Sequence, residues 1–208
     1  MLRRNLIRTS LSLSLSILAT AAAFAGPNDR ELEIGSRAPG FELRGTDDKK
    51  HNLDGFLEKS KATVVVFTCN TCPYSQAYEP VLLEMAQKLA KQPVSFVLIN
   101  PNSAEVQPGD SYAAMVERAK DKKYPFPYLQ DEMQTVASAY GAQRTPHVFL
   151  LDAEGVLRYR GRIDDNVKRE EVKTHDLDSA IQAVLANEEI ASPSTKAFGC
   201  SIKWKKTS

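Results

Sequence analysis

Two cysteines, Cys69 and Cys72, stand two residues apart in the stretch VVVFTCNTCPYSQ, where an apolar run gives way to helical spacing. A C-x-x-C pair can close a disulfide without unfolding its surroundings, and its second thiol can displace a partner from a mixed disulfide made by the first. A helix start beside the pair supplies unpaired N–H groups and the positive end of the helix dipole, both of which favour a thiolate. Pro73 suits such a first turn, where an N–H has little use. A structural zinc site asks for two further Cys or His ligands at matching spacing. Cys200, His51, His147 and His175 each stand alone in the sequence. An inert disulfide closing so small a loop would add little entropic stabilisation. Redox exchange, with a redox-active disulfide between Cys69 and Cys72 as its oxidised state, is the chemistry these residues favour.

A second constellation is Arg144-Thr145-Pro146-His147, directly before the apolar run VFLLD. A proline opening a central strand cannot donate to the ladder. A cis Thr145–Pro146 bond would turn the backbone toward a site. Thr145 would then offer backbone groups to an extended peptide, which makes Thr145 and Pro146 the candidate substrate-binding residues. The alternative is a trans proline at an edge strand. His147 raises a minor copper-binding alternative, against which stands a structural histidine. Cys200 lies in FGCSIKW. It reads either as a small apolar residue packed near Trp204 or as an accessory redox thiol.

These residues need elements to hold them. Ala62 to Thr68 is a continuous β-branched run, as in a strand buried on both faces. Tyr78, Val81, Leu82, Met85 and Leu89 then recur at 3 and 4, one face of a helix reaching about Lys91. VSFVLIN (94–100) predicts a second buried strand, and a polar loop from Pro101 to Asp110 leads to a helix near 111–120. A short strand at 126–129 and a helix from Asp131 to a Gly141 cap follow. Strands at 147–152 and 156–162 are joined tightly enough to be antiparallel, and a closing helix spans 177–186. The segment 191–208 reads as an extended tail, its lysines solvated. With two short strands ahead, the order describes an α/β chain with a mixed sheet and helices on both faces.

The N-terminus predicts a compartment. Arg3, Arg4 and Arg8 precede an apolar, Ser-rich run, and Ala23-Phe24-Ala25 fits a small-x-small cleavage signal. Residues 1–25 read as a signal peptide cut after Ala25, by ordinary secretion or the twin-arginine route, leaving a single domain over 26–208. The run is too short and polar for a membrane span of roughly 20 apolar residues. The expectation is an exported, periplasmic protein without stable membrane insertion after cleavage. Removing the three arginines turns the formal net charge of +1 slightly negative, which argues against a nucleic-acid partner.

Together FTCNTCPYS, DEMQTVASAYGAQRTPHVFLLD, YRGRIDDN and STKAFGCSIKW resemble the thioredoxin fold, in its peroxiredoxin-like or redoxin-domain branch, from about Ile34 to Trp204. The resemblance implies a thioredoxin-like domain with a peroxiredoxin-type N-terminal β extension, no bound cofactor, and partners that are protein or small-molecule disulfides with a thiol electron donor. It makes Cys69 the attacking thiol, Cys72 the resolving thiol and Pro146 the cis-proline. Cys72 followed by Pro73 also matches a peroxidatic cysteine, so the two assignments compete. Peroxiredoxins carry Thr or Ser where Cys69 stands and an activating arginine near Pro146, for which Arg144 is a candidate substitute. Thioredoxins carry a buried acid in the strand before the pair, whereas ATVVVFT has none; Glu79 is a weak substitute. The leading expectation is an exported thiol–disulfide oxidoreductase. A thiol-dependent peroxidase and a non-catalytic or copper-binding module are the alternatives.

Overall fold

The computed structural model describes residues 30–206. The leader reading lies outside the described residues. The sheet has seven strands: β1 (Glu42–Gly45), β2 (Lys50–Asn52), β3 (Ala62–Phe67), β4 (Val94–Asn100), β5 (Tyr128–Gln130), then, past the two-residue strand β6 (Arg144–Thr145), β7 (His147–Asp152) and β8 (Leu157–Gly161). Their spatial order is β2-β1-β5-β4-β3-β7-β8. β3 is the spine. It runs parallel to β4 and antiparallel to β7, and all six of its residues are buried, as its β-branched sequence requires. β1 and β2 form a hairpin added antiparallel to β5, the expected N-terminal extension.

Helices cover both faces. α2 (Pro73–Lys88), α3 (Tyr112–Asp121) and α5 (Asp176–Ala186) seal one face, where Tyr78, Leu82, Met115 and Ile181 meet Val64, Val66 and Leu98. α1 (Leu53–Leu57) and α4 (Thr135–Tyr140) seal the other, with Val136, Ala137 and Tyr140 on Val65, Phe67 and Phe149. α2 passes Pro80 as one helix and ends near Lys88, slightly short of the expected Lys91. α4 begins four residues after Asp131, because Gln134 takes a left-handed conformation and the Asp131 carboxylate accepts from the Ala137 N–H at 2.7 Å.

The tail departs from expectation. It is no solvated extension: Cys200–Ser201 forms β9, antiparallel to β6, and Ile202 is buried in the α4-side core. Backbone bonds pin the next residues, with Ser103 N–H donating to the Lys203 carbonyl at 2.8 Å and Lys205 N–H to Gln134 Oε1 at 2.7 Å. The alternation that marks a strand is too short here to read from sequence. What holds the segment is backbone and side-chain groups far away in the chain.

Candidate active site

Cys69 stands two residues past the end of β3 and Cys72 is the N-cap of α2. Each sulfur meets one residue. Cys72 Sγ donates to the Thr145 carbonyl at 2.9 Å, and Cys69 Sγ lies 3.4 Å from Thr145 Oγ1. The Thr145–Pro146 peptide bond is cis, as the proline before the strand suggested. The structure therefore brings the C-x-x-C pair to Thr145, with Pro146 next to it across the cis bond. The three cysteines stand as thiols.

The loop between the cysteines is held from the side. Asp110, fully buried, accepts from the N–H groups of Asn70 (2.7 Å) and Thr71 (3.2 Å), the Thr71 hydroxyl (2.8 Å) and Asn102 Nδ2 (2.7 Å). Tyr128 Oη donates to Asn70 Oδ1 at 3.0 Å. The sequence reading assigned Asp110 to a polar loop and missed this clamp. Its one signal was the Pro-Gly-Asp run, a turn whose inward direction no periodicity reveals.

Electrostatically the two thiols diverge. Cys72 is held below the ordinary thiol range, first by the hydrogen bond from the Cys69 thiol and then by the Cys200 thiol and the N–H groups of Ser75 and Cys200, against the cost of burial. Cys69 is driven up by donating to Cys72, by burial and by the Asp110 charge, with the Thr145 hydroxyl opposing. The helix N-terminus, with its unpaired N–H groups, therefore serves Cys72.

The remaining candidates separate clearly. Cys200 faces Thr145 across the β6–β9 ladder and is half-buried, its thiol pushed up to about 11 by burial and by donation to Cys72. Arg144 is exposed, its Nη1 3.4 Å from the Gly199 carbonyl, so it points at the tail. Glu79 accepts from Arg118 Nε at 2.7 Å and Tyr124 Oη at 2.5 Å. These bonds commit its Oε2 to structure rather than to a free base. His147 is 1% exposed, packs on the Phe149 ring at 4.6 Å and accepts the Gln143 N–H on Nδ1 at 3.4 Å. Burial holds its pKa down to about 3, so it is a neutral structural histidine. No group of three or more His, Cys, Asp or Glu among the described residues is arranged to hold a metal ion.

The AhpC/TSA family profile matches residues 34–160, more than half of the chain. The chain belongs to the AhpC/TSA family. No curated protein matches it. Among solved structures, this family member is similar to a hypothetical protein from Sinorhizobium meliloti 1021, 33% identical with a TM-score of 0.80, covering 88% of this chain and 100% of that one. An uncharacterized conserved protein from Geobacillus kaustophilus is 36% identical with a TM-score of 0.79, covering 85% and 94%. A putative thiol:disulfide interchange protein DsbE from Chlorobium tepidum shares the fold at 19% identity and a TM-score of 0.61, covering 74% and 99%. The AhpC/TSA assignment agrees with a redoxin-type oxidoreductase of thioredoxin-like fold, as the sequence motifs implied.

Proposed function

We propose that the protein is an exported thiol–disulfide oxidoreductase in which Cys72 attacks and Cys69 resolves. This exchanges the roles the motif resemblance assigned. The observation that carries it is the convergence of both sulfurs on Thr145 before the cis proline with Cys72 at the N-cap of α2, where its pKa is lowered with the Cys69 thiol as the first cause. The Cys72 thiolate attacks one sulfur of a client disulfide, forming a Cys72–client bond and releasing the other client sulfur as a thiolate. Cys69 then attacks the Cys72 sulfur, closing Cys69–Cys72 and expelling the second client thiolate. The two thiolates leave with the protons of the former dithiol, and two electrons pass from protein to client. The carboxylate at Glu79 has no part in this scheme, and water serves as the proton carrier. Clients are disulfide-bearing peptides that lie extended against Thr145, and a separate thiol donor reduces the pair again. Export rests on the leader at residues 1–25, and N-terminal sequencing of periplasmic protein, expected to begin at Gly26, checks it.

Insulin reduction with a dithiol donor tests the exchange. Wild type should accelerate it. Cys72→Ser should abolish it, and Cys69→Ser should leave client trapped on Cys72. Rapid peroxide consumption that survives Cys69→Ser and dies with Cys72→Ser, without insulin reduction, would overturn the reading in favour of a peroxidase.

A further inference from the structure

The two cysteines that would meet a client are almost closed to one. Cys69 is 4% exposed and Cys72 2%. On the Cys72 side of the site lies the chain's own tail, and it sits as a client would. β9 pairs with β6 in antiparallel register, Arg144 opposite Ser201 and Thr145 opposite Cys200. That is backbone pairing on the residue before the cis proline, the way an added strand docks on a sheet edge. The thiol in this strand is Cys200, paired with Thr145, whose carbonyl oxygen lies 2.9 Å from the Cys72 sulfur, and the Cys200 thiol and N–H both lower the Cys72 pKa.

The rest of the tail is shaped to keep that placement. Gly199 has φ +149°, a conformation side chains rarely adopt, and a Cβ there would run into the Thr145 carbonyl oxygen. Phe198, one residue earlier, packs edge-on against Tyr74 at 6.1 Å and tilted against Tyr78 at 6.2 Å, both on the first turns of α2. Beyond Cys200, Lys203 N–H donates to Asn102 Oδ1 at 2.9 Å, and the same Asn102 donates to Asp110, the clamp of the Cys69–Cys72 loop. An aromatic anchor, a glycine that permits close approach, the cysteine, and a backbone tie to the loop follow one another over six residues of chain.

We propose that Cys200 is a third redox thiol, that Cys72 is shared between two alternative disulfides, Cys69–Cys72 and Cys72–Cys200, and that β9 is an intramolecular client held in the peptide groove. The proposal rests on the thiol-exchange reading above. In the oxidised protein the Cys200 thiolate attacks Cys72 of the Cys69–Cys72 disulfide. The Cys72–Cys200 bond forms, the Cys69–Cys72 bond breaks, and the proton lost by Cys200 is taken up by Cys69. One thiol and one disulfide remain on each side, so no outside oxidant is consumed. Cys72–Cys200 latches the tail over the groove, and attack by Cys69 releases it. The groove thus favours clients with the tail's own pattern: an extended segment with an aromatic residue two before the cysteine and glycine directly before it.

Disulfide mapping of the full chain tests this. Protein is oxidised in glutathione disulfide, quenched in acid, alkylated, digested with trypsin and sequenced by mass spectrometry. Cys69 and Cys72 fall on the tryptic peptide 62–88 and Cys200 on 197–203. In Cys69→Ser the expected result is a monomer whose dominant oxidised species is the cross-linked pair of those two peptides; Cys69→Ala serves if the serine variant does not fold. In wild type, fragmentation should find both the internal Cys69–Cys72 peptide and the Cys72–Cys200 pair, and in Cys200→Ser only the first. Gly199→Ala should cut the cross-linked fraction on the order of tenfold at equal potential, since it adds backbone strain of that size. Glutathione adducts or chain-to-chain dimers in Cys69→Ser, with Cys69–Cys72 still forming in wild type, overturn the third thiol and leave the exchange reading standing. Failure to find Cys69–Cys72 in wild type and in Cys200→Ser overturns both.

Discussion

At the scale of single residues, the site turns on which of two adjacent sulfurs carries the charge. A thiolate at Cys72 is stabilised first by the hydrogen bond from Cys69, so Cys69 contributes even before it resolves anything. A hydrogen bond to a charged group contributes about 1.5–3 kcal/mol, which is roughly one to two pH units in the acidity of the acceptor. Titration of the thiolate absorbance at 240 nm should therefore place Cys72 below the ordinary thiol range in wild type. Cys69→Ala should move that transition up by about one pH unit or more, whereas Cys69→Ser, which keeps a donor, should move it far less. Equal upward shifts in both variants would mean that burial and helix N–H groups set the acidity and that the Cys69 donor is immaterial. Burial explains the inertness of His147. Its ring is enclosed and tilted against Phe149, so it stays neutral through the range where a histidine usually titrates.

At the scale of elements, the pair is only as well placed as the loop that carries it, and Asp110 holds that loop with three hydrogen bonds and Asn102 with a fourth. Asp110→Ala would leave the Asn70 N–H and Asn102 amide without acceptors in a buried site. At about 1–3 kcal/mol for each such group, urea unfolding should show a loss near 3 kcal/mol, and the Cys69–Cys72 reduction potential should shift with it. A loss under about 1 kcal/mol would show that water replaces the carboxylate freely. The sequence made the strands and the pair legible because their signals are local: β3 is a pure apolar run, the C-x-x-C abuts a helical period, and Pro146 interrupts a strand start. Asp110, Asn102 and Gln134 were not legible. Each acts on a backbone group 33 to 101 residues away, and a polar side chain in a loop carries no mark of the partner it will find. The tail was misjudged for the same reason. Its lysines read as solvated, yet the backbone of Ile202, Lys203 and Lys205 docks, on Gln143, Ser103 and Gln134.

At the scale of the molecule, the tail joins the two faces of the sheet. Phe198 packs on the α2 side and Ile202 in the α4-side core, while Gln134 at the start of α4 bonds both Pro101 and Lys203 carbonyls, at 2.6 and 3.0 Å. Beside Gln134 lies Asp131, 1% exposed, with Oδ2 accepting the Ala137 N–H and Oδ1 without a hydrogen-bond partner. Burial raises its pKa to about 6 from 3.8, against the N–H groups of the α4 turn. Between those values the folded chain holds a proton that the unfolded chain has released, so this group's contribution to stability falls as pH rises from about 4 to about 6 and is constant above. The full cost of ionisation is about 3 kcal/mol. Asp131→Asn keeps the acceptor for Ala137, does not titrate, and puts a donor where Oδ1 lacked a partner. Urea unfolding of both proteins at pH 4, 5, 6 and 7 should show the asparagine variant gaining on wild type as pH rises and levelling off above pH 6. A difference independent of pH would mean that the carboxylate ionises as readily in the folded chain as in the unfolded one, and that the junction of α4 with the tail is wetter than its packing implies.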